Sequence, residues 1–278
     1  MTTHGSPGPR IGDAFGLQLS DAVRLRRPVT AFVERSDGLI VPSGSAQWLS
    51  GENEWPSAVR EALARARGPV LDVGAGSGRH SAYLARKPMQ VTAMDTSELA
   101  LGICRDAGVQ ETLCADVTEL ERRLRGKPLF RTVLFLGNNV GLLGSVTRGT
   151  EILRQVHAVT SDDALIIAEG RRPVAGTAEN RAYVEGNLSR GRLPGALLMR
   201  LRYGTTATHW FPYLFCGPEE LERIAKAAGW SLCDVQDFHY PGAPSDAAPL
   251  SYTAVLGKQD GRDGSALGAE GMPGGGYR

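Results

Sequence analysis

The 278-residue sequence is poor in the features that mark several large classes of protein. It has no run of about 18 consecutive apolar residues, which a transmembrane helix requires. Its 31 basic and 30 acidic residues leave a net charge of +1, whereas non-specific binding to nucleic acid needs a positive excess that neutralises phosphates. We therefore expect neither a membrane protein nor a nucleic-acid binder.

Cysteine is scarce and irregularly spaced. The four cysteines, Cys104, Cys114, Cys216 and Cys233, form no CxxC pair and have no histidine at the spacing of a zinc ligand. The first ten residues lack the apolar stretch of a secretory signal peptide. These features predict a cytoplasmic protein with reduced, mostly buried thiols and no metal site.

The composition divides the chain into four parts. Residues 1–10 and 258–278 are rich in glycine and poor in apolar side chains, so both ends are predicted to be disordered. Residues 11–67 have a mainly helical pattern and are predicted to form an N-terminal helical cap. In residues 68–257, short apolar strands alternate with helices, which predicts a doubly wound, mostly parallel sheet.

Residues 171–217 interrupt this alternation and are interpreted as an insertion on the substrate side. They contain one predicted strand, Ala196–Tyr203, and seven arginines against only two acidic residues. Arg200 and Arg202 alternate with apolar residues on that strand and therefore share one face. One hypothesis is that these guanidinium groups hold an anionic substrate. The alternative is an ordinary solvated surface.

The strongest chemical signal is a glycine-rich turn between a buried strand and a helix. Residues 74–78 read GAGSG, and glycine allows the backbone to turn sharply and to pass close to a ligand. The N-terminus of the following helix offers free N–H groups. The dinucleotide fingerprint requires a small residue where this chain has Arg79, so the spacing departs from an NAD site.

Polar residues follow the next three predicted strands. Asp95 lies 19 residues after Gly76, which is the spacing of an acid that accepts hydrogen bonds from a ribose diol. Asp116 follows the third strand and can contact an adenine edge, and Asn138 and Asn139 follow the fourth. The carboxyl ends of parallel strands meet at one edge, so these loops are predicted to line one crevice.

Together these motifs resemble the class I S-adenosylmethionine-dependent methyltransferases, over residues 68–170 and, by pattern, 218–257. The resemblance implies a Rossmann-like seven-stranded sheet with one antiparallel strand, N-terminal helices, an inserted segment and S-adenosylmethionine as cofactor. Enzymes that methylate exocyclic amines of DNA usually carry an acid or Asn followed by Pro-Pro-aromatic after the fourth strand. Here residues 137–140 read GNNV, which disfavours that class.

The resemblance also assigns candidate site residues. The implied cofactor-binding residues are Asp72, Gly74, Ala75, Gly76, Gly78, Asp95, Thr96, Ala115, Asp116, Val117, Gly137 and Asn138. The candidate substrate-binding residues are Trp48, Asn139, Arg200, Arg202, Tyr203, Trp210 and Tyr213. His209 is the candidate general base, because an imidazole titrates near neutral pH. The alternative is a histidine that binds backbone groups.

These observations predict a methyltransferase that acts on a small molecule, and an anionic substrate and a role in specialised metabolism are two further hypotheses. The expected partner is that substrate, without nucleic acid or membrane, and a protein partner or a homodimer stays open. One alternative keeps the fold for an elimination or ring closure with an anionic leaving group. Two others are a non-catalytic subunit of a complex and an NAD-dependent oxidoreductase, which Arg79 disfavours.

Overall fold

The computed structural model describes residues 8–174, 176–240 and 248–259. Most of the two ends predicted to be disordered, residues 1–10 and 258–278, therefore lie outside the described residues. Arg10 and Lys258 each belong to a strand, which corrects the inner boundaries of both segments.

The N-terminal segment combines helices with a β-hairpin. Its elements are β1 (Arg10–Ile11), α1 (Ala14–Leu25), β2 (Thr30–Arg35), β3 (Ile40–Gly44) and α2 (Ser57–Leu63). The prediction of a helical cap over residues 11–67 is therefore wrong for the hairpin, in which Val33 pairs with Val41. The turn contains Asp37 and Gly38, and Gly38 has a φ of 92°. Asp-Gly is a strong hairpin signal, and it outweighs the weak helical pattern around it.

Residues 70–171 alternate strands and helices as predicted. The elements are β4 (Val70–Val73), α3 (Arg79–Ala85), β5 (Val91–Asp95), α4 (Glu98–Asp106), β6 (Glu111–Cys114), α5 (Leu120–Leu124), β7 (Phe130–Phe135), α6 (Val146–Ala158) and β8 (Thr160–Arg171). Each helix returns the chain to the start of the next strand, so the strands run parallel.

The insertion and the C-terminal part complete the chain. Their elements are α7 (Ala178–Leu188), β9 (Ala196–Tyr203), β10 (Thr206–Ala207), β11 (Phe211–Leu214), α8 (Pro218–Lys226), β12 (Trp230–Phe238) and β13 (Ser251–Lys258). The predicted strand at β9 is confirmed. The sequence pattern did not reveal α7, β10 and β11, because they are short or carry few buried side chains.

The main sheet has the order β12-β13-β8-β7-β4-β5-β6. Strand β13 runs antiparallel to both of its neighbours, and the other strands from β8 to β6 are parallel. Leu71 packs in one core cluster and Val70 in another, which shows that β4 is buried on both faces. The predicted Rossmann-like sheet with one antiparallel strand is confirmed.

A second sheet joins the N-terminal segment to the insertion. Its order is β1-β10-β9-β2-β3, and β11 pairs with the first half of β9, from Ala196 to Met199, beyond the segment that pairs with β10. Strand β2 lies antiparallel to β9, with Val33 opposite Leu201. Two regions that are far apart in the sequence therefore form one structural unit.

Two further expectations concern membranes and thiols. Within the described residues, no helix combines the length and the apolar character that crossing a membrane requires. The four cysteines are free, but only Cys104 and Cys216 are buried. Cys114 and Cys233 are exposed, so the expectation of mostly buried thiols holds for half of them.

Candidate functional site

A cavity of about 700 Å³ lies between the carboxyl ends of the parallel strands and the second sheet. We call the loops after β4, β5, β6 and β7 its floor. The N-terminal segment and residues 199–213 form the opposite side of the cavity, which we call its roof. The floor includes ten of the twelve predicted cofactor residues: Asp72, Gly74, Ala75, Gly76, Asp95, Thr96, Ala115, Asp116, Val117 and Gly137.

The glycines after β4 have different structural roles. Gly74 and Gly76 have φ values of 69° and 57°, a left-handed conformation that favours glycine, and both line the cavity. Gly78 does not line the cavity. A Cβ there would lie 2.6 Å from Sγ of Cys104, so this glycine allows α3 to pack closely against α4. The predicted cofactor contact of Gly78 is replaced by this packing role.

Asp95 holds the glycine loop in place. One oxygen of its carboxylate accepts the N–H of Gly76 at 2.9 Å, and the other accepts the N–H of Ser97 at 2.9 Å. Each oxygen keeps a second lone pair, so the group can also accept hydroxyl groups of a ligand in the cavity. Burial raises the pKa of Asp95.

Asp72 lies at the end of β4 beneath the same loop. Its carboxylate is 2 % exposed and accepts the hydroxyl of Ser81 at 2.7 Å, which ties β4 to α3. Burial raises the pKa of Asp72 to about 6. Two carboxylates therefore stabilise the glycine loop. Asp95 binds its backbone, and Asp72 ties the strand before the loop to the helix after it.

Asp116 and Arg148 face each other across the floor. Asp116 accepts the N–H of Thr118 at 2.9 Å, and Nη2 of Arg148 lies 3.8 Å from its carboxylate. Nε of Arg148 is buried and has no hydrogen-bond partner among the described residues. The sequence analysis missed Arg148, because nothing in the pattern of α6 distinguishes it from a surface arginine.

The loop after β7 is anchored to the end of β4 and to β11 of the second sheet. Nδ2 of Asn139 donates to the carbonyl oxygens of Val73 and Gly74, at 2.9 and 2.8 Å. Asn138 has a φ of 65° and does not line the cavity, contrary to its predicted cofactor role. Its carbonyl oxygen instead accepts the hydroxyl of Tyr213 at 2.6 Å.

Glu169 is a buried residue that the sequence analysis missed. It lies near the end of β8, is 1 % exposed, and accepts the N–H of Gly137 at 3.0 Å and the hydroxyl of Tyr240. Burial raises its pKa. The signal was an acidic residue directly after the apolar run of residues 164–168 in β8. Glu169 orients the floor from behind and does not line the cavity.

Phe15 and Trp48 cover the glycine loop. Their rings meet edge to face with centroids 6.2 Å apart, and Phe15 lies 3.3 Å from the position of a Cβ on Gly76. The carbonyl oxygen of Trp48 accepts the hydroxyl of Ser77. Arg79 adds a 2.6 Å hydrogen bond to the neighbouring carbonyl of Gln47, so the roof is tied to the floor at this end.

Arg200 and Arg202 share one face of β9, but that face points away from the cavity. Both contact Oε2 of Glu34, at 2.9 and 3.3 Å. The apolar residues beside them, Met199 and Leu201, line the roof instead. The structure therefore gives no support to the prediction that these two arginines bind substrate, because the alternation along β9 turns the apolar side chains inward.

Besides Trp48, three aromatic residues were predicted to contact substrate along with the arginines. The Tyr203 hydroxyl donates to Asp21 at 2.9 Å, and the Trp210 ring lies 4.6 Å from the guanidinium of Arg200. Neither lines the cavity, so the structure gives these two predictions no support. Tyr213 does line it, but its hydroxyl is bound to backbone and burial raises its pKa, so it is not a base.

His209 follows the short strand β10 and lines the roof close to Met199, Leu201 and Phe211. Its side chain is exposed. A neutral imidazole at this position can take a proton from a ligand and release it to solvent. The geometry therefore keeps His209 as the candidate base.

Residues 70–162 match a family model described as a methyltransferase domain. The match begins at β4 and ends within β8, so it contains the whole floor. Residues 70–162 therefore form a methyltransferase domain, and the order of the main sheet agrees with the class I S-adenosylmethionine-dependent type predicted from the motifs.

Solved structures show the same fold. A methyltransferase from Bacteroides fragilis in complex with S-adenosylhomocysteine is 21% identical, with a TM-score of 0.71 over 93% of this chain and 100% of that chain. The CcbJ methyltransferase from Streptomyces caelestis is 18% identical, with a TM-score of 0.50 over 75% and 94%. The glycopeptide N-methyltransferase MtfA, complexed with S-adenosylhomocysteine, is 16% identical, with a TM-score of 0.50 over 72% and 88%. No curated protein matches the sequence.

Proposed function

We propose that this chain transfers a methyl group from S-adenosylmethionine to a small molecule of specialised metabolism. The observation that carries the proposal is one cavity with a nucleotide-type floor and a separate roof. Its volume of about 700 Å³ falls within the usual range of small-molecule sites, roughly 300–1,000 Å³. One structural relative is named as a glycopeptide N-methyltransferase, which supports the specialised-metabolism setting.

The residues of the floor fit the cofactor. Gly74 and Gly76 bring backbone without side chains to the cavity, where the methionine part would lie. Asp95 has free acceptor positions for the ribose hydroxyls, and Asp116 lies on the side where adenine would bind. When bound, S-adenosylmethionine supplies an electrophilic methyl carbon on a positively charged sulfur.

The chain itself contributes positioning and proton transfer. The roof encloses the acceptor against the floor, and holding two reactants at near-attack distance can supply roughly 7–11 kcal/mol of the rate enhancement. The floor would hold the electrophilic methyl group in line with a lone pair of the acceptor, and S-adenosylhomocysteine would be the leaving group. His209 takes the proton that an acceptor hydroxyl or amine gives up.

Two of the alternatives lose their support in the structure. The elimination or ring closure with an anionic leaving group depended on the basic insertion and on the lack of an obvious base, and the two arginines singled out in the insertion pair with Glu34 outside the cavity. The NAD-dependent alternative does not fit Arg79, which binds Gln47 and Ser50 at the start of α3. A non-catalytic subunit stays as an outcome of the test.

The test is a calorimetric titration of the purified protein with S-adenosylmethionine and S-adenosylhomocysteine. We expect micromolar binding that Asp95→Ala abolishes and that Asp106→Ala, at an exposed helix end, leaves unchanged. Candidate acceptors are then screened by mass spectrometry for a gained methyl group. Absence of binding by the intact protein would contradict the proposal and favour a non-catalytic role.

A further inference from the structure

We infer that the acceptor is an apolar molecule that is uncharged or carries an amine, and that the roof excludes anions. The inference rests on the proposed function, since it names the substrate class of the same site. This inference replaces the hypothesis of an anionic substrate. That hypothesis depended on the net charge of the insertion, whereas the structure shows in which direction the side chains of the insertion point.

The inward face of the second sheet is apolar. In β9, Met199 and Leu201 point into the cavity, and Val33 of β2 pairs with Leu201 and lines the cavity too. The rings of Phe15 and Phe211 complete this surface. A ligand part that lies against it loses its hydration, which apolar groups tolerate and unpaired anions do not.

Most polar groups of the roof are already paired with the protein. The hydroxyl of Thr208 accepts the N–H of Leu201 at 3.0 Å. Asp13 accepts the N–H of Gly16 at 2.7 Å and the hydroxyl of Ser97 at 2.6 Å. Among the described residues, Ser43, Trp48 and His209 line the roof without a side-chain hydrogen bond, and the charged side chain of the roof is the carboxylate of Asp13, which repels an anion.

The charged residues around the whole cavity favour cations. Those that line it within the described chain are Asp13, Asp72, Asp95, Asp116, Arg79 and Arg148. Arg79 already binds Gln47 and Ser50, at 2.6 and 2.8 Å. The excess of carboxylates complements the positive charge of the cofactor and of an acceptor amine, and it repels an acceptor carboxylate, sulfate or phosphate.

If the cavity bound an anionic acceptor, Arg148 would be the residue that attracts it. Its Nε has no partner among the described residues, and its Cδ lies near Gly144, against which Pro212 of the roof packs. Its nearest charged neighbour, however, is the carboxylate of Asp116 at 3.8 Å, which offsets its charge. A test must therefore separate Arg148 from the apolar roof.

Three indoles differ mainly in charge and serve as probes: tryptophol is uncharged, tryptamine is a cation and indole-3-acetate is an anion. Each is titrated calorimetrically into protein saturated with S-adenosylhomocysteine. We expect tryptophol and tryptamine to bind and indole-3-acetate to bind at least tenfold more weakly. Leu201→Ala should weaken tryptophol about tenfold. Arg202→Ala, the next residue on the opposite face, should change nothing.

A gain of binding completes the series. Leu201→Arg places a cation on the inward face and should strengthen the binding of indole-3-acetate at least tenfold. Unchanged affinity for S-adenosylhomocysteine shows that each variant is folded. If Leu201→Ala fails this control, Met199→Ala takes its place, because Met199 also lines the roof.

Two results would overturn the inference. One is binding of indole-3-acetate to the unmodified protein as tight as that of tryptophol, and its loss in Arg148→Gln would locate an anion site at that residue. The other is that none of the three indoles binds. Failure of S-adenosylhomocysteine to bind would instead count against the proposed function, and the indole series on the protein alone would still decide the charge preference.

Discussion

Asn139 donates a hydrogen bond from its side-chain amide to the carbonyl oxygen of Gly74, at 2.8 Å, and so joins the loop after β7 to the glycine loop. A second bond from the same nitrogen reaches the carbonyl of Val73 at 2.9 Å. Strands β4 and β7 are neighbours in the sheet, so this side chain connects their two loops directly. We therefore interpret Asn139 first as a positioning residue of the floor.

Substituting Asn139→Asp should disturb this connection. The amide N–H groups would be replaced by carboxylate oxygens that face two carbonyl oxygens, which leaves these acceptors without a donor. We expect the free energy of unfolding to fall by about 1–3 kcal/mol and the affinity for S-adenosylmethionine to decrease. Urea denaturation and calorimetry measure the two effects. Asn53→Asp, at an exposed position, is the control, and equal stability of both variants would contradict the prediction.

Asp95→Asn should weaken cofactor binding by roughly 10- to 150-fold, because hydrogen bonds to a charged group contribute about 1.5–3 kcal/mol. The affinity of the unmodified protein should fall as the pH drops through the raised pKa of Asp95, since protonation removes the charge that accepts the ribose hydroxyls. Titrations with S-adenosylhomocysteine at several pH values test both points. A variant with the same acid dependence as the unmodified protein would show that another group is responsible.

Asp72 should make the protein less stable as the pH rises. The folded protein holds the Asp72 proton up to a pH of about 6, whereas the unfolded chain releases it near 3.8. Ionisation therefore costs stability between these two values, by up to about 3 kcal/mol. In Asp72→Asn this loss should disappear, and in Ser81→Ala it should grow, because the hydroxyl stabilises the ionised form. Parallel curves of melting temperature against pH for all three proteins would refute the prediction.

Gly141 is required by the position of Tyr213. A Cβ at this glycine would overlap the tyrosine ring, so Gly141→Ala should cost about 1–3 kcal/mol of stability. The same substitution at Gly102, on an open helix surface, should stabilise by about 0.5–1 kcal/mol. In a Tyr213→Leu background, Gly141→Ala should cost less, which a double-mutant cycle measures. Additive effects would show that the two residues do not interact.

Local sequence signals predicted the floor of the cavity well. The apolar run of β4, the glycines after it and Asp95 lie close together along the chain, and parallel strands bring such loops to one edge. Two predicted cofactor contacts within the floor are absent from the cavity, each for a local reason. Gly78 and Asn138 occupy the predicted loops, but one serves helix packing and the other turns its backbone toward Tyr213.

The roof could not be predicted in the same way. The Asp-Gly turn within residues 30–44 is a local signal for the hairpin that the helical-cap prediction overlooked, but nothing local indicates that β2 of this hairpin pairs with β9. Residues that contribute to the site from a distance, such as Arg148 and Glu169, carry no motif of their own. Their roles follow from the side chains and backbone groups that surround them.

The sequence by itself determined the class of the protein, because the order of strands, the glycine turn and the acids after the strands are all written within short segments. The alternation along β9 also determined that Arg200 and Arg202 lie on one side. Only the tertiary structure decided which side that is. Glu34, their ion-pair partner, lies more than 160 residues earlier in the chain, and pairing of β2 with β9 places it outside the cavity. An alternating strand has two equivalent orientations until a second strand and a buried face select one of them.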